Sequence, residues 1–312
     1  MTDEVKSILH RVWGMKADAM MRGLEVQPRL FGAEGEAGEE WRQWFVMTSD
    51  NAVRDTSMDR LIYGPWIGQG WDQVPHHPNV MVRANSVLRV HPMEERGEVN
   101  RRLQDVRELV DAGAPLLAPK VPYALDGENG YSVATVWPRC KPNTSVTGLI
   151  HALQRLHAIP APPSVRLQPP NNIDMMHSRM DHVDVEPDIR IALEIRAAVA
   201  QQLFDGIDTS DGVVLHNDAH VGNSVVCGGE VLLIDHDGMA VGPAEWDFLS
   251  LLHEAVRGGG DVERVPGVDW GLVRSWLPIK DATSCAWLAT VPGDAARAEL
   301  RARLFVPGHI WR

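Results

Sequence analysis

Apolar and polar positions in the first half of the chain fall mostly into runs of strand length. Asn79-Val80-Met81-Val82-Arg83 and Ser86-Val87-Leu88-Arg89-Val90 flank Ala84-Asn85 and predict a hairpin. From about Met93 to Ala112 the spacing turns helical, with charges on one face and apolar residues on the other. Extended runs return at Val121-Pro122-Tyr123-Ala124-Leu125 and at Tyr131-Ser132-Val133-Ala134-Thr135-Val136-Trp137-Pro138. A helix is predicted from Val146 to Ala158, stopped before Pro160. Further on, Gly212-Val213-Val214-Leu215 is a short strand. Asn223-Ser224-Val225-Val226-Cys227 and Glu230-Val231-Leu232-Leu233-Ile234 then enclose Gly228-Gly229, a hairpin signal. Extended structure followed by helices with an inserted hairpin predicts an α+β fold.

Three segments follow from this pattern. Residues 1–46 hold a helix-like stretch from about Asp3 to Arg22 and a Gly/Glu-rich tether, and look like an extension. Residues 47–138 form a β-rich lobe, and residues 139–312 a mainly helical lobe carrying the hairpin. Pro160-Ala161-Pro162-Pro163 and Pro169-Pro170 mark a loop inside the second lobe.

Composition narrows the function. The 312 residues can fill two cores, and 44% hydrophobic with 23% charged residues is ordinary for a globular protein. A net charge of −12 leaves no basic stripe for nucleic acid and suits a small cationic substrate. Asp237, Glu245, Glu254, Asp261, Glu263 and Asp269 are candidates for an acidic pocket, or simply for a solvated surface. Trp270, Trp276 and Trp287 fit helical core packing better than stacking on a ligand. No run is long and apolar enough to span a membrane, and no signal core is visible. Cys140, Cys227 and Cys285 are odd in number, distant in sequence and lack metal-ligand spacing, which predicts a reducing cytoplasm.

The chemistry is concentrated at His216-Asn217-Asp218-Ala219-His220-Val221-Gly222-Asn223, followed by Ile234-Asp235-His236-Asp237. The pattern H-x-D-x-x-x-x-N and then I-D-x-D is the spacing that places a base and two metal ligands around a nucleotide triphosphate. Asp218 can take a hydroxyl proton. Asn223 and Asp235 offer the hard oxygens that Mg²⁺ prefers. A hairpin joining the two runs would bring Asn223 and Asp235 to the same end. The bland alternative makes Asp218 and Asn223 turn caps and Asp235 a strand end.

These motifs resemble the aminoglycoside phosphotransferase family, whose fold is that of the protein kinases, across roughly residues 60–255. The resemblance implies a two-lobed kinase-like fold and Mg²⁺-dependent transfer from ATP or GTP to a hydroxyl of a small molecule. An aminoglycoside or another amine-bearing antibiotic is the implied acceptor. A metabolic kinase for choline, homoserine or a sugar amine is the alternative, and a weakly catalytic nucleotide-binding regulator a further one.

Residue by residue, the resemblance makes Asp218 catalytic and Asn223 and Asp235 metal ligands. His216 would buttress the loop, while His220 and Asp237 would face substrate or support the metal site. Gly242-Pro243-Ala244-Glu245-Trp246-Asp247-Phe248-Leu249 resembles the family's following helix start, with Asp247 steadying the loop. Gly68 and Gly70 would lie in a glycine-rich turn over the phosphates, because neither carries a side chain to block the approach. Thr135 and Trp137 would lie on the strand leading to the adenine site. The chain departs from the family at Arg89, where the third strand normally offers Lys. Arginine still supplies a fork of donors for phosphate. Its partner carboxylate is expected on the next helix, with Glu98 the first candidate and Glu94, Glu95, Asp105 and Glu108 as rivals. His157 is expected to pack or cap rather than to bind a ligand.

Overall fold

A computed structural model describes residues 71–74, 77–127, 132–208, 212–257 and 266–305. The expected extension 1–46 and the glycines Gly68 and Gly70 lie outside the described residues. By internal contacts the chain groups into two compact units, with cuts at 170/171, 207/208 and 248/249.

The first unit carries every described strand. Strands β1 (Asp72–Val74), β2 (His77–Arg83), β3 (Ser86–Pro92), β4 (Leu125–Asp126) and β5 (Ser132–Pro138) form an antiparallel sheet in the order β1-β2-β3-β5-β4. Of the predicted run 121–125, only Leu125 is in a strand, where Leu125-Asp126 pairs with Val133-Ala134. Alternation sorts the sheet's two faces. Met81, Leu88, Val90 and Ala134 form a buried cluster on one face. On the other, Val133 packs with Val99 and Leu103 of helix α1 (Arg96–Asp111). Val99, Leu103, Val106 and Leu109 recur at helical spacing and are all buried, so α1 presents a continuous apolar stripe to the sheet.

The predicted hairpin is present. After β6 (Lys141–Pro142), helix α2 (Val146–His157) starts at Ser145, whose hydroxyl accepts the Gly148 N–H at 3.0 Å. Strand β7 (Val213–Leu215) pairs with β10 (Ala240–Gly242), and β8 (Ser224–Cys227) with β9 (Glu230–Leu233). Gly228 and Gly229, at φ 62° and 92°, make the two-residue turn, a conformation that side chains resist at both positions. Between β7 and β10 the backbones run so close that a Cβ on Gly212 would lie 2.4 Å from the Gly242 nitrogen.

The cysteine reading is corrected by strand pairing. β6 lies beside β8 with Lys141 opposite Val226, which brings Cys140 and Cys227 to a Cα separation of 5.2 Å and into a disulfide. Eighty-seven residues of sequence concealed a contact that register makes. Cys285 is buried and takes no part in a disulfide.

The second unit is helical: α3 (Asn172–His182), α4 (Pro187–Asp205), α5 (Leu249–Arg257), α6 (Trp270–Ser275), α7 (Leu277–Thr290) and α8 (Asp294–Phe305). Helix α7 is central, touching α3, α4, α5 and α8, and buries Ile279, Ala282, Ala286 and Leu288. Trp276 is buried, as expected of a core tryptophan. Asp281 sits in this core with 1% exposure, ion-paired to Arg196 and 3.9 Å from His253. Arg196 also donates to the Arg303 carbonyl, and Arg303 to Glu299 and Ser284. Every charge there is answered by a neighbour, as burial demands. No described helix is long and apolar enough to cross a membrane.

Candidate active site

Five backbone and side-chain bonds fix the loop between β7 and β8. Asp247, 1% exposed, accepts the His216 N–H at 2.9 Å and the Asn217 N–H at 2.6 Å. The His157 Nε2 lies 2.9 Å from the same carboxylate. Trp246 donates to the Asn217 amide oxygen at 2.6 Å, and the Asn217 amide donates to the Gly238 carbonyl at 2.9 Å. Asn217 adopts a left-handed φ of 69°, a conformation Asn tolerates better than most residues. His157 and Asp247 thus hold the loop, and His216 is buried with its Nε2 2.7 Å from the Ile234 carbonyl.

This scaffold presents Asp218 outward, its side chain 53% exposed. The Asn223 amide donates to the Asp218 carbonyl at 3.0 Å and to its carboxylate at 3.3 Å. His220 Nε2 lies 4.0 Å from the same carboxylate. A Cβ at Gly222 would lie 2.8 Å from the His220 ring, which would have to shift to admit a side chain there. Because Ser224 faces Leu233 and the Ile234 N–H donates to the Asn223 carbonyl at 3.0 Å, Asn223 and Asp235 do end at the same place. Both line a cavity of about 390 Å³ together with Arg89, Arg102, Trp137 and Asp237.

Opposite charges meet across that cavity. On β3, Arg89 reaches Asp235 at 2.9 Å and Asp237 at 2.7 Å. Burial works to lower the Arg89 pKa, but the Asp237 and Asp235 carboxylates prevail and raise it. For Asp237, burial favours the neutral acid, yet Arg89 and Arg102 win and its pKa falls. The expected Arg89–Glu98 pair is replaced: Glu98 binds Arg102 on its own helix, and Arg102 turns its other nitrogen to Asp237 at 3.2 Å. Burial pushes His91 and His236 down to about 4, so both are neutral near pH 7. His236 lies between the Trp137 ring, at 5.5 Å, and the His216 ring, at 6.4 Å.

Thr135 stands opposite Arg89 in the sheet and accepts the Trp137 indole N–H at 2.8 Å. It orders the cavity wall rather than offering a free hydroxyl. Of the acidic-pocket candidates, Asp237 is engaged by two arginines and Asp269 caps α6 by accepting the Leu272 N–H. Asp261 and Glu263 lie outside the described residues. Arg102 is the cavity residue that sequence reading missed. Its one signal was its place four residues after Glu98, which reads equally well as a surface helix pair.

The donor set suits a divalent cation. Asn223 commits its amide nitrogen to Asp218, which leaves the amide oxygen for a metal, and Asp235 adds a carboxylate on the same cavity. Among the described residues no group of three or more His, Cys, Asp or Glu gathers to form a closed cage. Few protein oxygens, with phosphates and water completing the shell, is how Mg²⁺ is usually bound in such sites.

The profile of the phosphotransferase enzyme family (APH) matches residues 76–267, well over half of the chain. The chain belongs to this family. No protein of curated function matches the sequence. Among solved structures, the amicoumacin kinase hAmiN in complex with AMP-PNP, Ca²⁺ and Ami superposes with a TM-score of 0.55 at 11% identity, covering 86% of this chain and 92% of that one. A choline/ethanolamine kinase family protein from Mesorhizobium loti gives 0.50 at 16% identity, covering 80% and 91%. At such identities the likeness carries the fold, and the fold of this phosphotransferase is kinase-like, with sheet in the first part and helices in the last.

Proposed function

We propose that this phosphotransferase moves the γ-phosphate of ATP or GTP to a hydroxyl of a small cationic molecule, an aminoglycoside or other amine-bearing antibiotic. The observation that supports the reading is the hairpin register: Asn223 and Asp235 line one cavity with Arg89, and Asn223 also donates to the Asp218 carboxylate at 3.3 Å. The acceptor oxygen forms a bond to the γ-phosphorus as the bond to the bridging oxygen breaks, and the nucleoside diphosphate leaves. Asp218 orients the hydroxyl and receives its proton late in transfer. Its carboxylate is half exposed and steadied by Asn223, which suits it to meet an incoming ligand. Arg89 supplies the fork for phosphate oxygens, with Gly68 and Gly70 proposed to pass over them. Asn223 and Asp235 would hold Mg²⁺, which when bound neutralises the crowded phosphate oxygens. Thr135 and Trp137 shape the wall proposed for the base.

The net charge of −12 supports a cationic acceptor through the long-range field, although the nearest carboxylate, Asp237, is already neutralised by arginines. Nucleotide triphosphate supply favours the cytoplasm, whereas the Cys140–Cys227 disulfide is of a kind more usual in oxidising compartments.

The test is a panel of amine-bearing antibiotics, choline, ethanolamine and homoserine with labelled ATP and GTP, run on wild type and Asp218→Asn. Asn is nearly isosteric, so nucleotide affinity should stay close to wild type while kcat falls by roughly two to four powers of ten. An unchanged kcat removes Asp218 as the base. Transfer confined to choline or homoserine moves the protein to the metabolic kinases.

A further inference from the structure

Charges alternate along one line through the cavity wall: Glu98, Arg102, Asp237, Arg89, Asp235. Each Asp237 oxygen takes one guanidinium, Oδ2 from Arg89 at 2.7 Å and Oδ1 from Arg102 at 3.2 Å. A carboxylate on the metal-side segment is therefore shared between strand β3 and helix α1. The arrangement sets a problem for Arg89. It is held by two carboxylates, so a phosphate that is to use its fork must compete with both.

A cation bound at Asp235 would neutralise the first competitor. The second is Asp237, and the group positioned to satisfy it without Arg89 is Arg102, which Glu98 holds in place from the preceding turn. We propose that Arg102 is a positioning residue of the phosphate site: it keeps Asp237 satisfied and so releases Arg89 to the nucleotide's phosphates. The proposal rests on the phosphotransferase reading above. It assigns Arg102 no contact with the transferred group.

The experiment is calorimetric binding of ATP and of adenosine, each with Mg²⁺, to the full chain as wild type, Arg102→Ala, Asp237→Asn and the double variant. Arg102→Ala should weaken ATP about tenfold and leave adenosine unmoved, because the lost group acts on phosphate binding alone. Adding Asp237→Asn should restore ATP binding to within about twofold of the Asp237→Asn single variant, since the competing charge is then gone. A purely structural Arg102 would weaken ATP and adenosine alike, with no rescue, and that result overturns the proposal. So does an Arg102→Ala protein that binds ATP like wild type. Arg102→Lys guards against misfolding: it keeps the charge that satisfies Asp237, so ATP binding should stay within about threefold of wild type, and a loss as large as that of Arg102→Ala counts against the proposal. Wild type that binds neither ATP nor GTP would instead sink the phosphotransferase reading itself.

Discussion

The molecule contains two arginine–aspartate clusters with opposite consequences. In the helical unit, Asp281 lies in the core and Arg196, a quarter exposed, reaches in to it, with Arg303, Glu299 and Ser284 closing the network. In the strand-bearing unit, Arg89 meets Asp235 and Asp237 on a cavity wall, with side-chain exposures of 32%, 46% and 37%. Charges of the first kind have nowhere else to go, since losing a partner strands an ion in the core. Charges of the second kind can change partners, because solvent or a ligand can replace what is lost. The same ion pair is a fixture in one place and a reserve of binding capacity in the other.

Asp235→Asn probes the cavity cluster with the largest expected effect. Asn keeps the left-handed backbone while removing the charge that a divalent cation needs, so transfer should fall by about two powers of ten or more. Urea unfolding should show stability within about 1 kcal/mol of wild type, because the pair is half exposed. Substantial destabilisation with transfer intact would erase the distinction between the two clusters. The core cluster should behave in the reverse way. Arg196→Met should cost about 3–5 kcal/mol in urea unfolding, since the buried Asp281 carboxylate then loses its arginine. Its folded fraction should keep the wild-type nucleotide dissociation constant, and a changed constant would tie the core network to the site.

The smallest effect sharpens the boundary between the two kinds. His91 is 8% exposed beside the cavity cluster, facing Arg89, Arg102, Asp237 and Glu95. Burial, then the Arg89 charge, holds its pKa at about 4 against an ordinary 6.5. Between those values the unfolded chain binds more protons, so stability rises with pH across that window and is flat above it. Its share is about 0.7 kcal/mol between pH 7 and pH 6. In unfolding measured at both pH values, His91→Gln should lose that share of the slope. An unaltered slope would mean that His91 is solvated like the carboxylates around it.

The sequence revealed what local spacing controls. The β2–β3 turn, the amphipathic stripe of α1 and the Gly228-Gly229 turn all follow from neighbours within a few residues. So does the meeting of Asn223 and Asp235, because one two-residue turn fixes the register. The structural role expected of Asp247 came from the family motif, and its bonds to the His216 and Asn217 amides bear it out. Hidden were pairings decided by non-local register or by rotamer choice. Cys140 meets Cys227 through β6 beside β8, and Glu98 turns to Arg102 instead of Arg89. Residue identity alone cannot choose among several equally charged partners on one helix.

Asp235 has a φ of 61° and a ψ of 61°, the left-handed conformation also found at Asn217. On the proposed function two filters act on position 235, one from the backbone and one from the cation. Gly, Asn and Asp pass the first, because a left-handed turn costs most other residues about 1–2 kcal/mol. Asp alone passes the second with a full negative charge. A survey of tolerated substitutions would give different alphabets for folding and for transfer at this position, and the letters missing from the second would measure the chemistry with the turn already subtracted.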